Sequence, residues 1–188
     1  MKSRGFVVAL LGAESTGKTT LAQEIGAALA ARGLSVAVVA EVLREFCDAQ
    51  ARTPRRNEQA AIAAAQSERI DAAAARHEIV VADTSAVMIA VYSDLVFADT
   101  SLYASALAAQ GRCDLTLVTA LDLPWQSDGL QRDGPHVRAP VDALLRSALA
   151  GAGIEFATIA GVGNQRMAMA LRAIDGALAA RPSGTAKR

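Results

Sequence analysis

The residues best suited to chemistry are contiguous. Gly12-Ala13-Glu14-Ser15-Thr16-Gly17-Lys18-Thr19 fits the pattern G-x-x-x-x-G-K-[ST] without a mismatch. Each fixed place has a physical reason. The glycines let the backbone fold into a nest whose N–H groups converge on an anion. A helix opening at Lys18 adds the positive end of its dipole. The Lys18 ammonium can reach the β- and γ-phosphates of a nucleotide, and the Thr19 hydroxyl can ligate magnesium. The expected occupants of Gly12 to Thr20 are therefore ATP and Mg²⁺, with Lys18 acting on the transferred phosphoryl group.

A second group of candidates lies just after predicted strands. Val80-Val81-Ala82-Asp83 is an apolar run closed by a carboxylate. Asp83 stands where a magnesium-holding aspartate belongs, the plain alternative being a strand-end turn residue. The next residue is Thr84, where motor-type ATPases carry a water-activating glutamate, and this favours transfer to a substrate over hydrolysis. Glu41 follows the second strand and can orient an acceptor hydroxyl or take its proton late in a loose transition state. Arg44 can anchor substrate or pair with a carboxylate. The plain alternative for both is a charge pair at a solvated helix start. A guanine-reading Asn-Lys-x-Asp motif is absent after the fourth strand, where Val118-Thr119-Ala120-Leu121-Asp122 stands.

The stretch from Pro124 to Pro140 is polar, with Gly, Pro and Arg, and reads as a mobile loop. An arginine-bearing loop that closes over donor phosphates neutralises developing charge and excludes water. Arg132 and Arg138 are the candidates, set against plain surface charge. Trp125, the only tryptophan, can stack on a flat ring, more strongly on a cationic one, or cap the core.

These residues need a frame. Apolar runs at Gly5 to Leu11, Ser35 to Ala40, Ile79 to Ala82, Leu115 to Ala120 and Glu155 to Ile159 read as strands. Helices are expected over Lys18 to Arg32, Arg44 to Arg52, a long stretch from Thr53-Pro54 through Arg76, Ser85 to Leu95, Ser101 to Gln110, Val141 to Leu149 and Asn164 to Ala180. Thr53-Pro54 reads as a helix start, a capping hydroxyl followed by proline at the first helical position. Alternation of apolar strands with helices predicts an α/β fold in three layers around a five-stranded parallel sheet. Ligands of such sheets bind beyond the carboxyl ends of the strands, and Glu41, Asp83 and Asp122 all fall on that rim.

The chain has 188 residues, which predicts one domain over residues 1–180, with a lid at about 124–140 and a flexible tail at 181–188. Hydrophobic residues make up 52% and charged residues 20%, which excludes a disordered chain. Lys plus Arg and Asp plus Glu both number 19, so a dedicated nucleic-acid binder is not expected. Cys47 and Cys113 form neither a disulfide framework nor a metal-ligand spacing. No apolar stretch approaches 18 residues and the N-terminus does not read as a signal peptide, so no membrane partner and a cytosolic location are expected.

Together these motifs resemble the nicotinamide riboside kinase domain of NadR-type NAD-salvage proteins and stand-alone relatives labelled AAA-type ATPases. That family carries a G-x-E-S-[ST]-G-K-[ST] loop, matched by Gly12 to Thr19 with Glu14 inside it. It carries E-x-x-R-E after the second strand, matched by Glu41, Arg44 and Glu45, and Asp-Thr at the end of the third, matched by Asp83 and Thr84. Its segment P-W-x-x-D-G-x-R is matched through Pro124, Trp125, Asp128 and Gly129, with its arginine place falling on Gln131 and Arg132 one position later. The resemblance implies a nucleoside-kinase-like P-loop NTPase fold and ATP-dependent phosphorylation of the 5′-hydroxyl of nicotinamide riboside, giving nicotinamide mononucleotide. For that cationic ring the rim offers the carboxylates Glu41 and Asp128 and the aromatics Trp125 and Tyr92, the last equally suited to core packing. Gln66 falls where relatives place a polar residue facing the site. Adenylyl-transferase and repressor functions of the full-length regulator are not carried over.

Two alternatives stay open. One is a kinase for another nucleoside or small alcohol. The other is a phosphate-loop ATPase or nucleotide switch acting on a protein partner. A homodimer contact is also possible, since Ser85 to Gln110 carries apolar residues on several faces.

Overall fold

A computed structural model of the 188-residue chain describes residues 4–126 and 134–181. In chain order the elements are β1 (Phe6–Leu11), α1 (Lys18–Ala31), β2 (Val36–Val39), α2 (Val42–Gln50), α3 (Gln59–Ala74), β3 (Ile79–Asp83), α4 (Ala86–Phe97), α5 (Tyr103–Gln110), β4 (Leu115–Thr119), α6 (Arg138–Gly151), β5 (Ala157–Ile159) and α7 (Asn164–Ala180). The five strands form one sheet in the order β2-β3-β1-β4-β5, every pair parallel. β1 is its centre and all six of its residues are buried, as a strand covered on both faces must be.

Alternation along β1 divides the core. Phe6, Val8 and Leu10 face Leu21, Ile25 and Leu29 of α1 and Ala170 and Ile174 of α7. Ala9 and Leu11 face α4 and α6 on the other side, and Val7 packs with Ile70, Ala73 and Ala74 of α3. The expected three layers are therefore present. α4 is buried along Ala86 to Val91 and packs on α3, α5 and α6. Its many-sided apolar surface is thus largely covered within the chain. No helix among the described residues is long and apolar enough to cross a membrane. Both cysteines are free, and burial pushes the Cys113 thiol up to about 11, which keeps it protonated and unreactive.

Two boundaries differ from expectation. The long helix starts at Gln59, after a 3-10 turn at Arg56–Glu58, and not at Thr53-Pro54. Glu58 is the reason. It accepts from the Arg55 N–H at 2.7 Å and from both Arg52 Nη atoms at 2.7 Å, so the chain turns around Glu58. The polar stretch expected to be loop through Pro140 ends earlier, because α6 starts at Arg138 behind a 3-10 turn at Pro135–Val137.

Candidate functional site

The carboxyl ends of the strands open into a cleft of about 780 Å³. Its floor is the loop between β1 and α1. Gly12, Glu14, Ser15, Thr16, Gly17, Lys18, Thr19 and Thr20 all line it, while Ala13 is packed beneath. The two motif glycines are fixed by geometry. Gly12 has φ +146°, and a Cβ there would lie 2.0 Å from Thr119 Oγ1. Gly17 has φ +73°, and a Cβ there would lie 3.0 Å from Leu123 Cδ1. A side chain therefore has no room at Gly12, and at Gly17 it is the left-handed backbone that favours glycine.

Side chains pin the loop from below. The Thr16 hydroxyl donates to the Ala13 carbonyl at 2.8 Å, and Lys18 Nζ donates to the same oxygen at 2.7 Å. The Thr119 hydroxyl donates to Thr16 Oγ1 at 2.7 Å. From above, Gln126 N–H donates to Ser15 Oγ at 2.7 Å, so the chain at Gln126 lies across the loop. Ser15 itself sits at φ 54°, a conformation that helps carry the nest.

The other side of the cleft lies toward β2 and β3. Glu41 occupies the N-cap position of α2 and lines the cleft with its side chain 14% exposed. Arg44, one turn on, also lines it, with Nε 4.0 Å from Glu41 Oε2. The Glu41 turn is held by Gln66, which is fully buried. Its Oε1 accepts from Val42 N–H at 2.8 Å. Met88, Tyr92 and Val96 of α4 recur every fourth residue and line the opposite wall as one stripe, with Thr84, just before the helix, lining it too. Thr53, Pro54 and Gln59 close the outer lip.

Asp83 ends β3, beside Leu10 of β1, and is 3% exposed. Its Oδ1 is buried with no hydrogen-bond partner, and so is Thr84 Oγ1. Thr84 is held at φ 79°, an unusual conformation for a β-branched residue and one that tends to occur at functional sites. A buried carboxylate oxygen without a partner, on the same rim as the Thr19 hydroxyl, fits a hard cation held through oxygen and water. Among the described residues no cluster of three or more His, Cys, Asp or Glu could hold a metal unaided, so phosphate oxygens would complete such a site.

The remaining expected residues divide. Trp125 is half-buried, and the cleft wall there is made by Leu123, Pro124 and Gln126. Arg138 is 8% exposed at the start of α6 and donates to the Leu123 carbonyl at 2.9 Å, so it ties α6 to the chain that follows β4. It is not among the cleft-lining residues. Asp128 and Arg132 lie outside the described residues. Among the cleft residues without a sequence assignment is Arg166 of α7, 5% exposed, which donates through Nη2 to the Thr16 carbonyl at 2.7 Å. A Gly161-Val162-Gly163 turn after the last strand, on the ligand-binding rim, was the available signal for it.

This arrangement can hold a nucleoside polyphosphate on the loop, with a second molecule against Glu41, Arg44 and the α4 stripe. Residues 7–166 match the family model described as an AAA domain. The chain belongs to the AAA domain family. No curated protein sequence matches this AAA domain chain. Solved structures share its fold. A crystal structure of NadR protein in complex with NAD and AMP-PNP aligns with TM-score 0.75 at 21% identity, over 95% of this chain and 51% of that one. A crystal structure of NadR protein in complex with NR aligns with TM-score 0.73 at 22% identity, over 92% of this chain and 50% of that one. The AAA domain chain thus spans about half the length of these structural neighbours, and the likeness is one of fold.

Proposed function

We propose that this AAA domain protein is an ATP-dependent small-molecule kinase that phosphorylates the 5′-hydroxyl of nicotinamide riboside to give nicotinamide mononucleotide. The observation that carries this reading is the continuity of the cleft. One cavity is lined both by the phosphate loop and by Glu41, Arg44, Met88 and Tyr92, so a second molecule has room beside the nucleotide. A hydrolase needs room only for water beyond its γ-phosphate. Binding of AMP-PNP and of NR by NadR proteins of the same fold supports the two halves of the assignment.

In this reading the loop N–H groups and the α1 N-terminus bind the phosphates. Lys18 exchanges the neutral Ala13 carbonyl, 2.7 Å away, for charged phosphate oxygens, a stronger partner. Glu41 aligns the acceptor hydroxyl. As the new O–P bond forms and the bond from the γ-phosphorus to the bridging oxygen breaks, the hydroxyl proton passes to the Glu41 carboxylate. Thr19 and Asp83 would hold Mg²⁺, which neutralises charge on the β- and γ-oxygens when bound. The pyridinium ring lies against the α4 stripe, where Tyr92 offers an aromatic face.

The test is a coupled ADP-release assay with ATP and Mg²⁺ across nicotinamide riboside, uridine, adenosine, thiamine and no acceptor. The Lys18→Ala variant is the blank. Turnover of about 1 s⁻¹ or more with nicotinamide riboside alone is expected. A single rate for all five conditions would transfer the assignment to an ATPase or nucleotide switch.

A further inference from the structure

We infer that Arg166 is a positioning residue for the phosphate loop, acting through the Thr16 carbonyl and held in place by Asp122. It rests on the phosphate-binding half of the reading above and is independent of the acceptor. Arg166 reaches the loop from α7, 150 residues away in sequence, and its side chain is 6% exposed. Nη2 donates to Thr16 O at 2.7 Å, while Nη1 donates to Asp122 Oδ1 at 3.2 Å and to Gly161 O at 3.3 Å. Asp122 in turn accepts from the Gly161 N–H through its other oxygen. The pair therefore ties together the ends of β4 and β5 and the cradle between β1 and α1.

The consequence follows from the peptide plane. All described peptide bonds are trans, so the carbonyl of one residue and the N–H of the next point in opposite directions. Holding the Thr16 carbonyl out toward α7 turns the Gly17 N–H inward, to the side where phosphate binds. Donors fixed before the ligand arrives lose little to reorganisation, and that is what makes them effective. Gly17 is also the residue least able to hold its own conformation, since it lacks a side chain. A guanidinium this buried is costly unless it is paired, and Asp122 supplies the pairing charge. The Ala13 carbonyl, by contrast, keeps the Thr16 hydroxyl as a second donor when Lys18 leaves it for phosphate. At the Thr16 carbonyl the side-chain donor is Arg166, and it has no need to leave when phosphate binds.

The test uses isothermal titration with ATP·Mg²⁺ and with tripolyphosphate, which engages the loop without a base or sugar. Arg166→Met should raise both dissociation constants by about 10–100-fold, the range for losing a charge-assisted hydrogen bond. Arg166→Lys, which keeps the charge and loses the fork, should fall between Arg166→Met and wild type. Asp122→Asn preserves volume and removes the pairing charge while keeping an amide oxygen for the guanidinium, and should raise both constants by about 3–10-fold in titrations run well below its melting temperature, which falls with the lost pairing. The acceptor KM should stay within twofold in Asp122→Asn. Loss of ATP affinity with tripolyphosphate affinity intact would place Arg166 on the base side and overturn the inference. So would wild-type affinities in Asp122→Asn and Arg166→Lys together. An acceptor panel with no turnover leaves these titrations unaffected and counts against the kinase reading alone.

Discussion

The loop end of the cleft is held by several short hydrogen bonds from buried side chains, whereas the end that the proposed reading gives to the acceptor has one such tie, from Val42 N–H to Gln66, and is otherwise joined on its outer surface by ion pairs. At the loop, Thr16, Thr119 and Arg166 are each at most 5% exposed and each bonds within the cradle. At the acceptor end, Arg52 pairs with Glu58, Arg56 with Asp99, and Arg69 of α3 with Glu45 of α2. These pairs are partly or largely exposed, and such pairs contribute about 0–1 kcal/mol each and weaken with salt. The difference teaches how the site divides its tasks. Phosphate geometry is the same in every nucleotide, so its cradle can be rigid before binding. In the proposed reading an acceptor must enter, be sealed from water and leave as product, and walls joined by contacts that can yield suit that task.

The strongest way to break this comparison is at the rigid end. Lys18→Ala removes the one flexible cation of the loop and should lower kcat/KM by about 10³-fold, measured by ADP release at saturating Mg²⁺. A loss under tenfold would show that another cation carries the transferring phosphoryl group. Next in size is Glu41→Gln, which keeps the N-cap position of α2 and removes the proton acceptor. It should lower kcat by about 10²-fold with the ATP KM unchanged. An equal rise in the ATP KM would move Glu41 from the acceptor to the nucleotide.

A smaller effect belongs to the α4 stripe. Tyr92→Ala removes an aromatic face from the acceptor wall and should raise the acceptor KM by about tenfold, leaving the ATP KM within twofold. The comparison sharpens if a neutral nucleoside shows a smaller rise than a pyridinium one, since only a cation gains from the face of the ring. If both KM values move together, Tyr92 is packing support for α4.

The same contrast governs what could be read without the structure. The loop was legible because Gly12 to Thr20 is contiguous and each place obeys a local constraint. The sheet was legible because Phe6 to Leu11 and Ile79 to Ala82 are apolar on both faces, a demand only a covered parallel strand makes. Glu41 and Arg44 were legible as candidates, since strand ends point to the rim, and Tyr92 only through the family resemblance, but their assembly around one chamber depends on strand order. Arg166 was not legible as a brace. Its partner is a backbone carbonyl, which leaves no trace in residue types. Arg138 looked like a lid cation because Gly134, Pro135 and Pro140 suggested loop throughout, yet proline is well accommodated in the first turn of a helix. Thr53-Pro54 misplaced a helix start for the opposite reason. The nearby carboxylate of Glu58 took the backbone donor that a capping hydroxyl would have taken.

The smallest expected effect lies at that turn. The Arg52 guanidinium and the Arg55 N–H hold the Glu58 carboxyl down to about 2, against an ordinary value of 4.5. A folded-state pKa lowered in this way contributes stability that is fully present above about 4.5 and is lost as pH falls toward about 2. Asp99, held to about 2 by Ser101 and Arg56, acts in the same direction on the facing wall. Glu58→Gln removes one of the two titrations. Between pH 4.5 and pH 2 its stability should therefore fall less steeply than that of the wild type. Denaturant melts at steps across that window measure the slope directly. Superimposable slopes would mean that Glu58 keeps its ordinary pKa in the folded chain and that the Arg52 fork is not formed in solution. The turn would then be set by Thr53-Pro54 after all, and the outer lip of the acceptor chamber would have no fixed tie at this point.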